Sequence, residues 1–192
     1  MVTHGRPSLA PEIDQFRAQF ERVSADADAL TAALSDEQFT WRPGQDSWSI
    51  AECLDHLNAT ARVYLPALDE GIADAIRGGV YGEGPFKYNW LGRLSVRFSE
   101  MRVRFKAPED MQPAPGRSRR EILAAFRAYQ VQYVARLRQA NGVDLARARV
   151  RVPVTSWLRI PLGSGFAVMV AHSQRHLAQA RRVTEAEHFP SH

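Results

Sequence analysis

Two histidines lie four residues apart in the segment AHSQRHLAQARRV, which spans residues 171–183. Four residues advance an α-helix by slightly more than one turn, so His172 and His176 would share one face of a helix. Two imidazoles placed in this way can bind one divalent metal ion, with zinc–nitrogen bonds of about 2.0–2.1 Å. The same spacing also arises by chance, in surface histidines or in buried ones that bond to a carbonyl or carboxylate.

His56 is a third candidate ligand, in a different helical segment. It lies beside apolar residues there, as the pair at 172 and 176 does in its own segment, and side chains on facing helices can converge inside a bundle. Three protein ligands and an open position are typical of a catalytic zinc-type site rather than a structural one. No glutamate follows His172 directly, which excludes the usual helical metalloprotease motif.

Four long segments show the spacing of apolar residues that is typical of amphipathic helices. They run from about Pro11 to Leu34, from Ser49 to near Gly79, from Ser118 to Asn141 and from about Ser164 to Glu187. The second and third begin with Ser-x-x-Glu, the pattern of a capping box. Strand signals occur only between these segments, so the pattern predicts an all-α four-helix bundle with long connections between helices 2–3 and 3–4.

The connection over residues 79–117 is too long for a simple turn. Its part from Asn89 to Phe105 could be either an alternating strand or a short amphipathic helix. The later connection contains ARVRVPVTSW, which favours a short strand, although Pro153 weakens it. Both connections would cover an end or a mouth of the bundle, where Trp90 and Trp157 could line a pocket.

The composition is that of a globular protein, with 45% hydrophobic and 24% charged residues, and we expect a single domain over residues 1–192. No apolar run reaches the roughly 20 residues of a membrane helix, and the N-terminus does not resemble a signal peptide. The lone cysteine, Cys53, excludes an internal disulfide; it could face a metal, but a core position is favoured. These features predict a cytoplasmic protein without a membrane partner.

The formal net charge is +4 and the isoelectric point is about 9.6, which raises the question of nucleic acid. The basic residues are mostly arginines scattered among 21 acidic ones, and no recognition motif accompanies them. We therefore expect no nucleic-acid partner.

The segment Trp48-Ser-Ile-Ala-Glu-Cys-Leu-Asp-His56-Leu, followed much later by His172-Ser-Gln-Arg-His176, resembles the DinB-like (YfiT-like) superfamily. The resemblance implies a four-helix bundle with one divalent metal ion, often zinc or nickel, held by three histidines. Matched position by position, it implies that His56, His172 and His176 are the metal ligands. The long second connection departs from the shortest members of the family.

A divalent ion on three neutral imidazoles can lower the pKa of a bound water, or hold a thiol as the nucleophilic thiolate. The resemblance implies the second chemistry, because relatives include S-transferases and isomerases that use low-molecular-weight thiols. The leading hypothesis is therefore a metal-dependent S-transferase that activates such a thiol. A metal-dependent hydrolase using metal-bound water is the alternative, and a non-catalytic metal- or ligand-binding module is another.

Further residues have candidate roles around this site. Glu52 lies one turn before His56 and could be the general base of a hydrolase, or simply close its capping box. Arg175 and Arg182 could steer a carboxylate-bearing thiol, and Asp46 and Gln179 could bond the imidazole nitrogens that do not bind metal. We expect a small-molecule substrate and a homodimer.

Overall fold

The computed structural model describes residues 8–86, 108–155 and 157–191. The helices are α1 (Pro11–Thr31), α2 (Asp36–Thr40), α3 (Ile50–Arg77), α4 (Arg119–Gln139) and α5 (Leu162–Thr184), with a 3₁₀ turn at Glu109–Met111. The four long helices confirm the all-α prediction within a few residues at each end. The short helix α2 was not predicted.

Side-chain caps start three of these helices. Ser49 accepts a hydrogen bond from the backbone N–H of Glu52, whose carboxylate accepts from the N–H of Ser49. Ser118 at the start of α4 and Ser35 at the start of α2 form the same reciprocal arrangement. Each box satisfies N–H groups that have no partner inside the helix, so the serine fixes where the helix begins.

The long helices pack so that α1 and α3 each contact both α4 and α5. Buried apolar side chains fill the space between them in two clusters, one that includes Phe20, Leu68 and Phe166 and one that includes Phe39, Leu54 and Phe126. The second cluster also buries Cys53 completely, as the core interpretation of this cysteine predicted. Helices α3 and α5, which bear the three histidines of interest, are therefore direct neighbours.

The connection between α4 and α5 contains a two-stranded antiparallel hairpin, β1 (Arg149–Arg151) and β2 (Arg159–Pro161), with Val150 opposite Ile160. The predicted strand is present and ends before Pro153. Strand β1 lies so close to α3 that a Cβ on Gly71 would be 2.7 Å from the carbonyl oxygen of Arg149, which explains the glycine.

Two other sequence interpretations concern the connections. Trp157 lies at the turn of the hairpin with 81% of its surface exposed. The segment 89–105 and Trp90 lie outside the described residues. Within the described ranges, no helix has both the length and the apolar character that crossing a bilayer requires.

Candidate metal centre

The structure brings His56 of α3 together with His172 and His176 of α5. One ring nitrogen from each lies within 4.8 Å of the others. The Nε2 atoms of His56 and His172 are 3.0 Å apart. Two nitrogens bound at 2.0–2.1 Å to one tetrahedral ion would be separated by about 3.4 Å. The His56–His172 pair is thus within a few tenths of an ångström of the spacing that a shared ion requires.

A hydrogen bond fixes the orientation of His56. Its Nδ1 lies 2.6 Å from the backbone carbonyl oxygen of Met111, which is buried in the 3₁₀ turn. A carbonyl can only accept, so Nδ1 carries the proton and Nε2 keeps its lone pair. The lone pair therefore lies on the nitrogen that faces His172, as metal binding through Nε2 requires.

The indole of Trp48, just before α3, forms a wall of the cluster. Its ring centroid lies 4.9 Å from that of His56 and 5.7 Å from that of His176, with the latter pair stacked. The sequence placed Trp48 in the motif that resembles the family, and the structure shows that this residue contacts two of the three histidines.

Burial keeps the three imidazoles neutral. Removal from water lowers the pKa of His56, and it lowers the pKa of His172 to about 3. The pKa of His176 is lowered further, first by burial, then by the other two histidines and Arg175, against a hydrogen bond with Gln179 that raises it. Neutral imidazole is the form that binds metal, so all three can act as ligands at neutral pH.

Arg175 also lies at the cluster. Its Nη2 is 2.9 Å from Nε2 of His176 and 3.4 Å from Nδ1 of His172. A guanidinium can only donate, so it bonds to a lone pair on each ring; on His172 this is the lone pair of Nδ1, whereas Nε2 faces His56. Arg182, the other arginine considered from the sequence, is exposed on the last turn of α5.

The remaining sequence candidates lie elsewhere or have other partners. The carboxylate of Glu52 accepts hydrogen bonds from Ser49 and pairs with Arg42, so its capping role is observed. Its role as a general base stays a prediction. Gln179 acts to raise the pKa of His176, and its role as a partner of that imidazole stays a prediction. Asp46 is exposed, and burial raises the pKa of the core thiol of Cys53 to about 12.

Sequence reasoning missed the partners supplied by residues 111–117, which run from the end of the 3₁₀ turn to the residue before the α4 cap. Asp55 accepts hydrogen bonds from the backbone N–H of Ala114 at 2.7 Å and from Nη1 of Arg117 at 2.8 Å. Met111 of the same segment bonds to His56. These contacts join residues 55 to 62 positions apart, so no local spacing reveals them. A helical wheel only shows that Asp55 and its neighbour His56 point in different directions.

Fold and site together define a four-helix bundle with three buried or half-buried histidines between two of its helices. The family model of the DinB superfamily matches residues 19–180, and the chain belongs to this superfamily. It is similar in structure to YfiT from Bacillus subtilis, described as a probable metal-dependent hydrolase with an unusual four-helix bundle topology. The TM-score is 0.59 at 16% identity, with 94% of this chain and 91% of YfiT covered. No curated protein matches the chain.

Proposed function

We propose that the protein is a divalent-metal-dependent enzyme with His56, His172 and His176 as the metal ligands. The observation that carries the proposal is the convergence of three imidazole nitrogens within 4.8 Å, two of them on buried side chains. Burying imidazoles costs free energy unless their nitrogens find partners, and a metal ion would be one partner for all three. A set of neutral nitrogen ligands suits zinc and nickel, the metals that the resemblance implies.

The leading activity is thiol-dependent S-transfer, in which a low-molecular-weight thiol attacks an electrophilic small molecule. When bound, the ion would supply a Lewis acid with an open coordination position. A thiol has a pKa of about 8.5 and water one of 15.7, so a thiol needs a far smaller shift to ionise at neutral pH. Among the described residues, the metal-ligating group contains histidines and no carboxylate, which favours the nucleophile that needs less help from a base.

Arg175 adds a positive charge at the same place. Its half-buried guanidinium lies against His176, and burial lowers its pKa, which reflects how poorly the cation is solvated there. An anionic group next to it would relieve this cost, either the thiolate itself or a carboxylate carried by the thiol. The positive charge of Arg175 therefore favours a thiol that carries a carboxylate.

The test is a conjugation assay on untagged, zinc- or nickel-loaded protein with a panel of low-molecular-weight thiols and electrophiles. We expect metal-dependent consumption of thiol, lost in H172A at equal protein concentration. Metal-loaded protein that hydrolyses esters or amides without using any thiol would favour the hydrolase. Bound metal with neither reaction would favour a non-catalytic module.

The hydrolase is the second candidate because the structural neighbour YfiT is described as a probable hydrolase. Glu52 would then be its general base, although capping and Arg42 engage the carboxylate. We expect E52Q to keep the activity of the parent protein, because glutamine also closes a capping box. Its free energy of unfolding should fall by about 1 kcal/mol or less, because the half-exposed ion pair with Arg42 is lost. Hydrolysis rates and urea unfolding of E52Q and the parent protein measure the two effects. A loss of hydrolysis above about 100-fold with the fold intact would instead assign Glu52 as the base.

Location and assembly stay predictions. We propose a cytoplasmic homodimer, as expected from the sequence, and nothing in the site described here depends on either property.

A further inference from the structure

We propose that Asp55 is a positioning residue for the metal site: paired with Arg117, it holds the segment 111–117 in the place where its Met111 carbonyl orients His56. We call residues 111–117 the strap. The inference rests on the proposed metal site, because its consequence is a set ligand geometry.

Two adjacent residues of α3 bind the strap at different points. His56 donates from Nδ1 to the carbonyl oxygen of Met111 at one end of the strap. Asp55 accepts from the backbone N–H of Ala114 at its middle and from the guanidinium of Arg117 at its other end. The strap is therefore attached to α3 at Met111, Ala114 and Arg117, so the Asp55 bonds limit how far the Met111 carbonyl can shift along α3.

The Asp55 attachment is firm because its side chain is only 3% exposed. A buried carboxylate that loses its partners is costly, so breaking either bond is opposed by desolvation as well as by the bond itself. The 3₁₀ turn fixes the other side. There the N–H of Met111 bonds to the carbonyl of Pro108 at 2.9 Å, and that of Gln112 to the carbonyl of Glu109 at 3.2 Å.

The consequence for His56 is a single tautomer. With the Met111 carbonyl in place, the proton stays on Nδ1 and Nε2 faces His172 at 3.0 Å. Without the strap, the ring can rotate or exchange tautomers, and the ligand nitrogen must be ordered when metal binds. Outer partners of metal-binding histidines typically change metal affinity 10–100-fold. Asp55 acts on His56 only through the strap, so we expect its loss to weaken zinc affinity by roughly tenfold, the lower end of that range.

The experiment compares D55N with D69N in the untagged full chain. Asp69 lies on the same helix, about 21 Å further along its axis, and bonds to Arg136 at 2.9 and 2.8 Å. D69N therefore removes an Asp–Arg ion pair of similar length, on a more exposed carboxylate, away from the histidines. We expect D55N to weaken zinc binding about tenfold in a chelator competition, and D69N to leave it unchanged.

A second readout separates positioning from mere stability. In long-range ¹H–¹⁵N spectra of the metal-free protein, the His56 signals should show the Nδ1–H tautomer in the parent protein and D69N, and a mixture in D55N. R117Q keeps Asp55 and its bond to Ala114, so its His56 tautomer ratio and zinc affinity should lie between those of the parent protein and D55N. R117Q replaces D55N in the comparison if D55N does not fold.

Unchanged zinc affinity and an unchanged His56 tautomer in D55N, with only a lower melting temperature, would overturn the proposal. The same tautomer pattern in R117Q as in the parent protein would overturn it if D55N is unfolded. If no variant, the parent included, binds zinc, the proposed metal function fails, whereas the tautomer spectra still decide whether Asp55 positions His56.

Discussion

Replacing any one of His56, His172 and His176 with alanine is expected to weaken zinc binding by more than about 100-fold, because even outer partners of such ligands change affinity 10–100-fold. The parent protein, purified without a tag or added metal, should contain about one equivalent of a divalent transition metal. Elemental analysis measures the bound metal, and chelator competition measures the affinity. Two remaining imidazoles leave the ion with too few protein ligands for tight binding.

The matched control is H188N. His188 is 86% exposed on its side chain and has a positive φ of 66°, a conformation that asparagine tolerates better than alanine does. H188N should keep the metal content and zinc affinity of the parent protein. If one of the three alanine variants retained a full equivalent of metal at unchanged affinity, the ion would be bound elsewhere and the proposed ligand set would be wrong.

The sequence predicted the parts of the site that lie within single helices. The capping serines at 49 and 118 start α3 and α4 as expected, because a box needs only four consecutive residues. The pairing of His172 with His176 follows from helix geometry alone. That His56 lies close to this pair could be predicted only from the way the helices pack, which the family resemblance implied. The structure shows the three side chains together.

The parts that could not be predicted depend on connections. The carbonyl oxygen of Met111 bonds to His56 although the two residues are 55 positions apart in the sequence. Every residue has a backbone carbonyl, so the identity of residue 111 does not indicate this contact. Trp48 contacts His176 across a still longer separation. Asp55 appears on a helical wheel to be unrelated to its neighbour, and its link to His56 exists only through the strap. Ring orientation thus depends on tertiary contacts, whereas spacing within one helix could pair only His172 with His176.

The metal-free protein should lose stability steeply as the pH falls from 7 to 5. The three histidines are held in their neutral form by burial, with the pKa of His172 lowered to about 3. In the unfolded chain their pKa returns to about 6.5, so below that pH the unfolded state binds more protons than the folded one. Stability is therefore fully present above about pH 6.5 and is lost as the pH falls toward the folded-state value.

For His172 alone, this linkage amounts to roughly 2 kcal/mol between pH 7 and pH 5, and the other two histidines act in the same direction. Urea unfolding of chelator-treated protein at both pH values measures the loss. H172N has no group that titrates there, so its loss should be smaller than that of the parent protein by roughly 2 kcal/mol. H188N changes an exposed histidine and should match the parent. If H172N lost as much free energy of unfolding between pH 7 and pH 5 as the parent protein, His172 would be solvated and easily protonated. Burial would then not keep this histidine neutral.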